Sequence, residues 1–242
     1  MTAVLLIARR ELAAYFSNLS GYLILAGHLL LTGLLFNVYA VGNQPKFSQL
    51  VLEHFFYFAS GMAMITAVLL AMRLIAEERQ LNTLVLLRTA PITERQIVWG
   101  KFLSALAFLL ITLAISIYMP ALIFLHGKVS VLQILSGYLG LALLGATCIA
   151  VTLLASAWSG SQMMAGAIGG ILVTLLLVVW LLGQVTTEPL KSLFAYVALH
   201  NLHFVPFSRG IVAARDVVFY ASMITLLLEA AVRSLESWRW RE

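Results

Sequence analysis

The sequence predicts an all-α integral membrane protein that crosses the bilayer six times. Three observations predict it. Of 242 residues, 62% are hydrophobic and only 10% charged, with a mean hydropathy of +1.00. Soluble domains carry about 25% charged residues, so this chain has too little polar surface to face water. Its apolar residues are gathered into runs of the length, about 20 residues, that a helix needs to cross the hydrocarbon core. Lipid cannot satisfy open backbone groups, which leaves the helix as the structure for such runs. Finally, the charges sit between the runs: seven of the 25 charged residues (15 Lys and Arg, 10 Asp and Glu) fall within 76–101, AEERQLNTLVLLRTAPITERQIVWGK.

Residues 2–18 read as a helix lying in the membrane interface, with Arg9 and Arg10 towards headgroups and Leu5, Leu12 and Phe16 towards lipid. The arginines follow a short apolar patch instead of preceding a long one, so no cleavable signal peptide is expected. Span one is 19–41, free of Asp, Glu, Lys and Arg. Span two is 55–74, and span three 102–125, with Pro120 a kink or an end. Val129–Thr187 holds no charge and is too long for one helix; the small, polar SAWSGSQ (156–162) divides it into spans at 131–156 and 163–183. Span six is 217–235, where Glu229 and Arg233 at i, i+4 read as a pair near its end. Gly137, Gly140, Gly145, and Gly166 with Gly170 at GxxxG spacing, suit close helix packing. Residues 184–216 alternate apolar patches (Leu193–Leu199) with Pro189, Pro206 and Gly210, as short helices resting on or dipping into the leaflet would.

An even number of spans puts both termini on one side. That side holds Arg9, Arg10, Arg73, Arg79, Arg88, Arg95, Lys101, Arg233, Arg239 and Arg241, ten of the 15 basic residues, and is read as cytoplasmic. The net charge of +5 is thus a topology signal with contact to anionic lipid, not a nucleic-acid footprint.

Catalytic signatures are missing. Gly100–Lys101 and Gly127–Lys128 are not followed by Ser or Thr, so there is no phosphate-cradling loop and no ATP site of the chain's own. His200 and His203 of HNLH could begin a metal site, but no Cys or carboxylate cluster joins them, and they read as interface histidines. His28 reads as a helix–helix hydrogen-bonding residue. Cys148 is the single cysteine and can form no intramolecular disulfide. No cofactor and no metal is expected.

The charged stretch has internal order. Leu81, Leu84, Val85 and Arg88 fall at i, i+3, i+4, i+7, one face of a helix. Thr89-Ala-Pro91 stops it, and Thr93 followed by Arg95 and Gln96 restarts a helix into span three. A short helix of this kind projecting charge from the membrane suits docking into a groove of a soluble partner.

These residues resemble a known family. EERQLNTLVLLRTAPITERQIVWGKF looks like the EER-x-x-GT-L-x-LL-x-TAP…GK signature of ABC-2 type permeases, the gliding-motility and copper-maturation kind of membrane subunit. RRELAAYFSNLSGYL (9–23) resembles its leading helix, and FSRGIVAARDVVFYASM (207–223) its approach to the last span. Asn82 stands where the family usually has glycine and Leu19 where proline is common. The resemblance implies one permease domain over 1–242, in a bacterial inner membrane, working as a dimer. It implies a cytoplasmic coupling helix formed or flanked by Glu77, Glu78, Arg79, Thr83, Leu84, Leu87, Arg88, Thr89 and Pro91. That helix would seat in an ABC ATPase subunit that binds ATP and Mg²⁺, with a periplasmic auxiliary protein as a further partner. A subunit that transmits force to a periplasmic partner without moving a substrate is the alternative. A secondary transporter fits less well, since no charge lies mid-span.

Overall fold

The computed structural model describes residues 3–42, 47–81, 83, 92–126 and 129–239. Among them every regular element is a helix. Six helical stretches are long and apolar enough to cross a membrane: Leu19–Val41, Ser48–Gln80, Glu94–Phe124, Val131–Trp158, Gln162–Val185 and Ala214–Ser237. Each overlaps one run read from the sequence.

The first helix, α1 (Ala3–Ser17), is joined to α2 (Leu19–Leu35) through Asn18, and α2 ends in a π-helical turn, Phe36–Val41. A Cβ on Gly21 would collide with the Tyr15 carbonyl, so this sharp junction requires glycine. Leu5 and Phe16 are exposed as expected, but Leu12 packs against the core and Arg10 turns to acidic partners. The physical reason is an inward stripe led by Ile7 and Tyr15. Tyr15 is buried, its hydroxyl donates to the Leu70 carbonyl at 3.0 Å, and the Arg73 guanidinium lies 4.7 Å from its ring centre.

Helix α3 (Ser48–Ala71) leads through a turn into the single-turn α4 (Ala76–Gln80). The third span is built from two helices, α5 (Glu94–Ile115) and α6 (Tyr118–His126). It breaks at Ser116, whose hydroxyl donates back to the Leu113 carbonyl at 2.7 Å and lies 3.0 Å from the Tyr138 hydroxyl. Pro120 falls in the first turn of α6, where a missing N–H costs no hydrogen bond, so it marks a restart.

The axis of the bundle is α7 (Val131–Trp158), buried along most of its length. Glycines let its neighbours close in. A Cβ on Gly137 would strike the Phe56 ring of α3, and one on Gly145 would strike Leu109 of α5. Next comes α8 (Gln162–Val185). Here the sequence reading is corrected in detail. Gly166 meets Met72 and Gly169 meets Thr152, while Gly170, the second glycine of the GxxxG pair, faces open space. Packing is set by helical phase, and 170 points away from the bundle.

At the periphery lie α2, α8 and α11 (Ala214–Arg239), which expose Leu23, Leu30, Ile171, Leu175, Val218 and Leu226. Water would penalise so broad an apolar exterior, whereas hydrocarbon does not. Several interior polar groups find partners nearby. His28 Nδ1 lies 2.8 Å from Thr66 Oγ1, linking α2 to α3 as the sequence suggested, and Thr112 and Thr147 donate to carbonyls one turn back.

The end opposite the termini is capped by α9 (Leu190–Val197), which rests exposed on the surface, and α10 (Val205–Ser208), which is drawn in. Ala198, Leu199, Phe204 and Phe207 are buried. Their backbone is held by side chains of the spans: Tyr220 donates to Leu199 O at 2.6 Å, Ser136 to Phe207 O at 2.9 Å and Gln133 to Ser208 O at 3.0 Å. Gly210, at φ +89°, makes the turn out. The two histidines diverge: His200 Nε2 is 2.8 Å from Ser60 Oγ, whereas His203 Nδ1 is 2.8 Å from Asp216 Oδ1. Among the described residues no three His, Cys, Asp or Glu side chains gather in a way that could hold a metal ion.

Candidate coupling site

The charged stretch begins where α3 leaves the core. After Met72 the chain turns, and the hydroxyl of Ser156, in the last turn of α7, takes over the orphaned backbone groups. Ser156 Oγ accepts from the amides of Ile75 (3.1 Å) and Ala76 (2.9 Å) and donates to the Met72 carbonyl (3.0 Å). One side chain thus closes a helix end that would otherwise be left unsatisfied.

The five residues of α4 (AEERQ) then reach in different directions. Glu77 stays at the surface, paired with Arg73 at 3.4 Å. Glu78 turns inward, its Oε1 2.9 Å from Lys101 Nζ on α5 and 3.5 Å from Arg10 on α1. Arg79 donates to the carbonyls of Ala157 and Ser159, both at 3.0 Å, covering the end of α7 where carbonyls lack partners and the helix dipole favours a cation. The Gln80 side chain accepts from the Gln162 amide at 3.3 Å, at the start of α8. A single turn therefore touches α1, α5, α7 and α8.

Lys101 is the centre of this arrangement. It is 1% exposed, and its Nζ also lies 3.4 Å from Glu11, which in turn pairs with Arg10 at 2.7 Å. Two cations and two carboxylates are thereby balanced at the edge of the hydrocarbon, which a buried charge requires. Burial pushes the Glu11 carboxyl up, but Lys101 and Arg10 outweigh it and hold the group below the usual carboxylate range. The helices can come this close because Gly100 sits under Ile7, where a Cβ would approach to 2.8 Å. Glu78 Oε2 is buried and has no hydrogen-bond partner among the described residues.

On its other flank the stretch is fixed by a capping box. Thr93 Oγ1 accepts from the Gln96 amide at 3.3 Å, and Gln96 returns its side chain to the Thr93 amide at 3.0 Å, starting α5 as the sequence predicts. Beyond it, Arg95 holds both Glu229 oxygens at 2.9 Å. Glu229 thus takes Arg95 as its close partner, with Arg233 at 3.8 Å.

Of the nine residues singled out from the sequence, Leu84, Leu87, Arg88, Thr89 and Pro91 lie outside the described residues. Glu77 is at the surface, Thr83 donates to the Glu78 carbonyl at 3.3 Å, and Glu78 and Arg79 face other helices of the same chain. Sequence reasoning missed Glu11, Lys101 and Ser156. The available signal was that Lys101 stands directly before an uncharged run and Glu11 inside a helix with an apolar stripe, so each needs a partner of opposite sign.

No curated protein matches the chain. The family described as "ABC-2 family transporter protein" matches residues 12–232, which covers all six apolar helices but for the last residues of the sixth, together with α4 and Lys101 of the charged site. The chain therefore belongs to the ABC-2 transporter family, and its six-helix bundle is that family's membrane domain.

Proposed function

We propose that this chain is an exporter-type permease subunit, inactive alone and driven by a separate cytoplasmic ABC ATPase that seats on residues 77–91. The observation that carries the reading is α4. One helical turn next to the docking stretch reaches four other helices through Glu78, Arg79 and Gln80. A displacement at 81–92 has firm anchors on both sides, α4 before it and the Thr93 capping box after it. The ATPase then needs only to contact one arrangement of these helices better than another to shift the permease between states.

ATP and Mg²⁺ bind the ATPase in this scheme, and the permease supplies none of their ligands. Two permease copies related by a two-fold axis match a two-cleft ATPase dimer, and a periplasmic auxiliary protein is a further partner. In this reading both termini are cytoplasmic, on the ten-to-five division of basic residues, and the membrane is the bacterial inner one, on the resemblance to ABC-2 type permeases. With Cys148 replaced, Lys191→Cys should react with an impermeant thiol reagent in intact cells and Glu77→Cys should not; the reverse pattern overturns the orientation.

The test of coupling separates docking from transmission. Glu77→Lys with Arg88→Glu should abolish co-purification with the ATPase. Lys101→Met should leave the ATPase bound but remove permease-dependent stimulation of ATP hydrolysis. Normal stimulation in both variants overturns the proposal.

A further inference from the structure

Two cavities lie end to end near the far side of the bundle. The deeper, of 460 Å³, is walled by α3 and α8 and includes Gly61, Ile65, Leu177 and Val178. The shallower, of 250 Å³, includes Gly183, Gln184 and Lys191. Trp180 and Asn201 border both, so the two share a wall and follow one another along α8. At about 1.5 Å per residue, Leu177 to Gln184 spans about 10 Å. The combined space is of the size that holds a ligand.

Its chemistry changes along that length. The deep part is mostly hydrocarbon; of its polar lining, Ser60 and His200 lie 2.8 Å from each other and Asn201 stands where it meets the shallow part. Burial pushes the His200 imidazole down, so it adds no charge. The shallow part carries Gln184 and Lys191. Among the described residues no acidic side chain borders either cavity and Lys191 has no ion pair. Gly183 fixes the rim, because a Cβ there would come within 3.2 Å of the Lys191 carbonyl; its absence lets α9 fold back onto α8 and hold Lys191 over the opening. The mouth is lateral: Tyr57, Ile65 and Val178 on its border are exposed on the apolar exterior.

We propose that this composite cavity binds one anionic phospholipid of the surrounding bilayer, an acyl chain between α3 and α8 and the acidic headgroup at Lys191. A lateral apolar mouth admits a chain from the membrane. A lone cation at the polar end selects an acidic headgroup over a zwitterionic one. The inference is independent of the ATPase reading, since binding requires no nucleotide and no partner.

The full-length permease is placed in nanodiscs of equal parts phosphatidylglycerol and phosphatidylcholine, extracted into mild detergent and weighed by native mass spectrometry. Wild type should retain one phosphatidylglycerol per chain in preference to phosphatidylcholine. Lys191→Glu should reduce that retention by at least about fivefold, the weight of one basic residue near an anionic lipid, and Lys191→Arg should preserve it. Gly61 lines the cavity and a Cβ there meets nothing within 4 Å, so Gly61→Phe starts its ring from open space and takes up cavity volume. It should expel lipid of either headgroup. Equal retention of both lipids by wild type overturns the proposal, as does wild-type retention in both Lys191→Glu and Gly61→Phe. If Gly61→Phe instead leaves bound lipid unchanged and splits a permease dimer, the cavity is an interface between copies and the proposal is wrong.

Discussion

The two ends of this bundle are tied by different chemistry. At the end that carries the termini, α1, α4 and α5 meet through a cluster of four charges, Arg10, Glu11, Glu78 and Lys101. At the far end the backbone from Ala198 to Ser208 is held by side chains that each donate to one carbonyl, Tyr220 to Leu199, Ser136 to Phe207 and Gln133 to Ser208, beside one buried pair, His203 with Asp216. A neutral bond from a side chain to one carbonyl has one satisfied arrangement and specifies one position of the backbone. The charge cluster has several, since Glu78 can be served by Lys101 or Arg10, and Glu11 by either. The terminal end can therefore shift without leaving a charge unpaired, and the far end cannot shift without breaking bonds.

The largest effect expected from breaking this contrast is at Lys101. Lys101→Met leaves Glu11 and Glu78 facing each other with Arg10 alone between them. Removing one member of a buried ion pair typically costs about 3–5 kcal/mol. Thermal unfolding of the detergent-solubilised permease should show the loss. The reciprocal exchange Glu78→Lys with Lys101→Glu keeps the charge count and should recover a large part of it. No recovery in the exchange would mean that Lys101 matters for shape and not for charge, and the cluster could not act as a rearrangeable joint.

His203 is the sharpest comparison at the other end. Its Nδ1 lies 2.8 Å from Asp216 and its Nε2 2.9 Å from the Tyr196 carbonyl, and its ring stacks on Phe219 at 3.7 Å. His203 and Asp216 are both fully buried. His203→Ala should destabilise the protein by about 3 kcal/mol. The damage should be local, seen as faster hydrogen exchange over 196–210, while ATPase stimulation survives. Loss of stimulation equal to that in Lys101→Met would erase the distinction between the two ends.

The same contrast explains what the sequence could disclose. The spans were legible because uncharged runs such as Leu19–Val41 and Val129–Thr187 have one physical reading in a chain this poor in charge. The helix start at Thr93 was legible because the residues that signal it lie within four positions of each other, while the reciprocal bonds of its capping box came with the structure. The coupling site was legible only as a concentration of charge. Glu11 and Lys101 are ninety residues apart, and nothing in the order of residues says that α1 lies across α5; that follows from Gly100 meeting Ile7 in three dimensions. Gly170 was misread for the same reason, since GxxxG spacing gives a face but not the neighbour that face meets. The inward turn of Glu78 and Arg79 was hidden too, because a short charged helix between two spans looks solvated until its partners on α5 and α7 are in place.

Ser156 gives a smaller effect that sharpens the picture of the joint. Its hydroxyl serves two amides and one carbonyl at the turn between α3 and α4. Ser156→Ala removes all three bonds without changing charge or bulk, and buried unsatisfied backbone groups cost about 1–3 kcal/mol. Stability should fall by an amount in that range, with weaker ATPase stimulation, because α4 loses its hinge pin and keeps its ion pairs. An unaffected stimulation would show that transmission runs through the charges alone.

The smallest effect is expected at Arg95 and Glu229, although this pair has close two-oxygen geometry, both at 2.9 Å. The side chains are 64% and 40% exposed, against 1% for Lys101. Water already solvates both groups when they are apart, so joining them gains little, and exposed pairs contribute about 0–1 kcal/mol. Arg95→Ala should therefore leave unfolding almost unchanged, and the small remainder should vanish in high salt, because a few tenths of a molar of ions screens exposed charges. The Lys101 cluster, shielded from ions, should keep its contribution under the same salt. Equal salt sensitivity at the two sites would mean that water reaches Lys101 during normal motion, so that its burial describes one state of a moving joint.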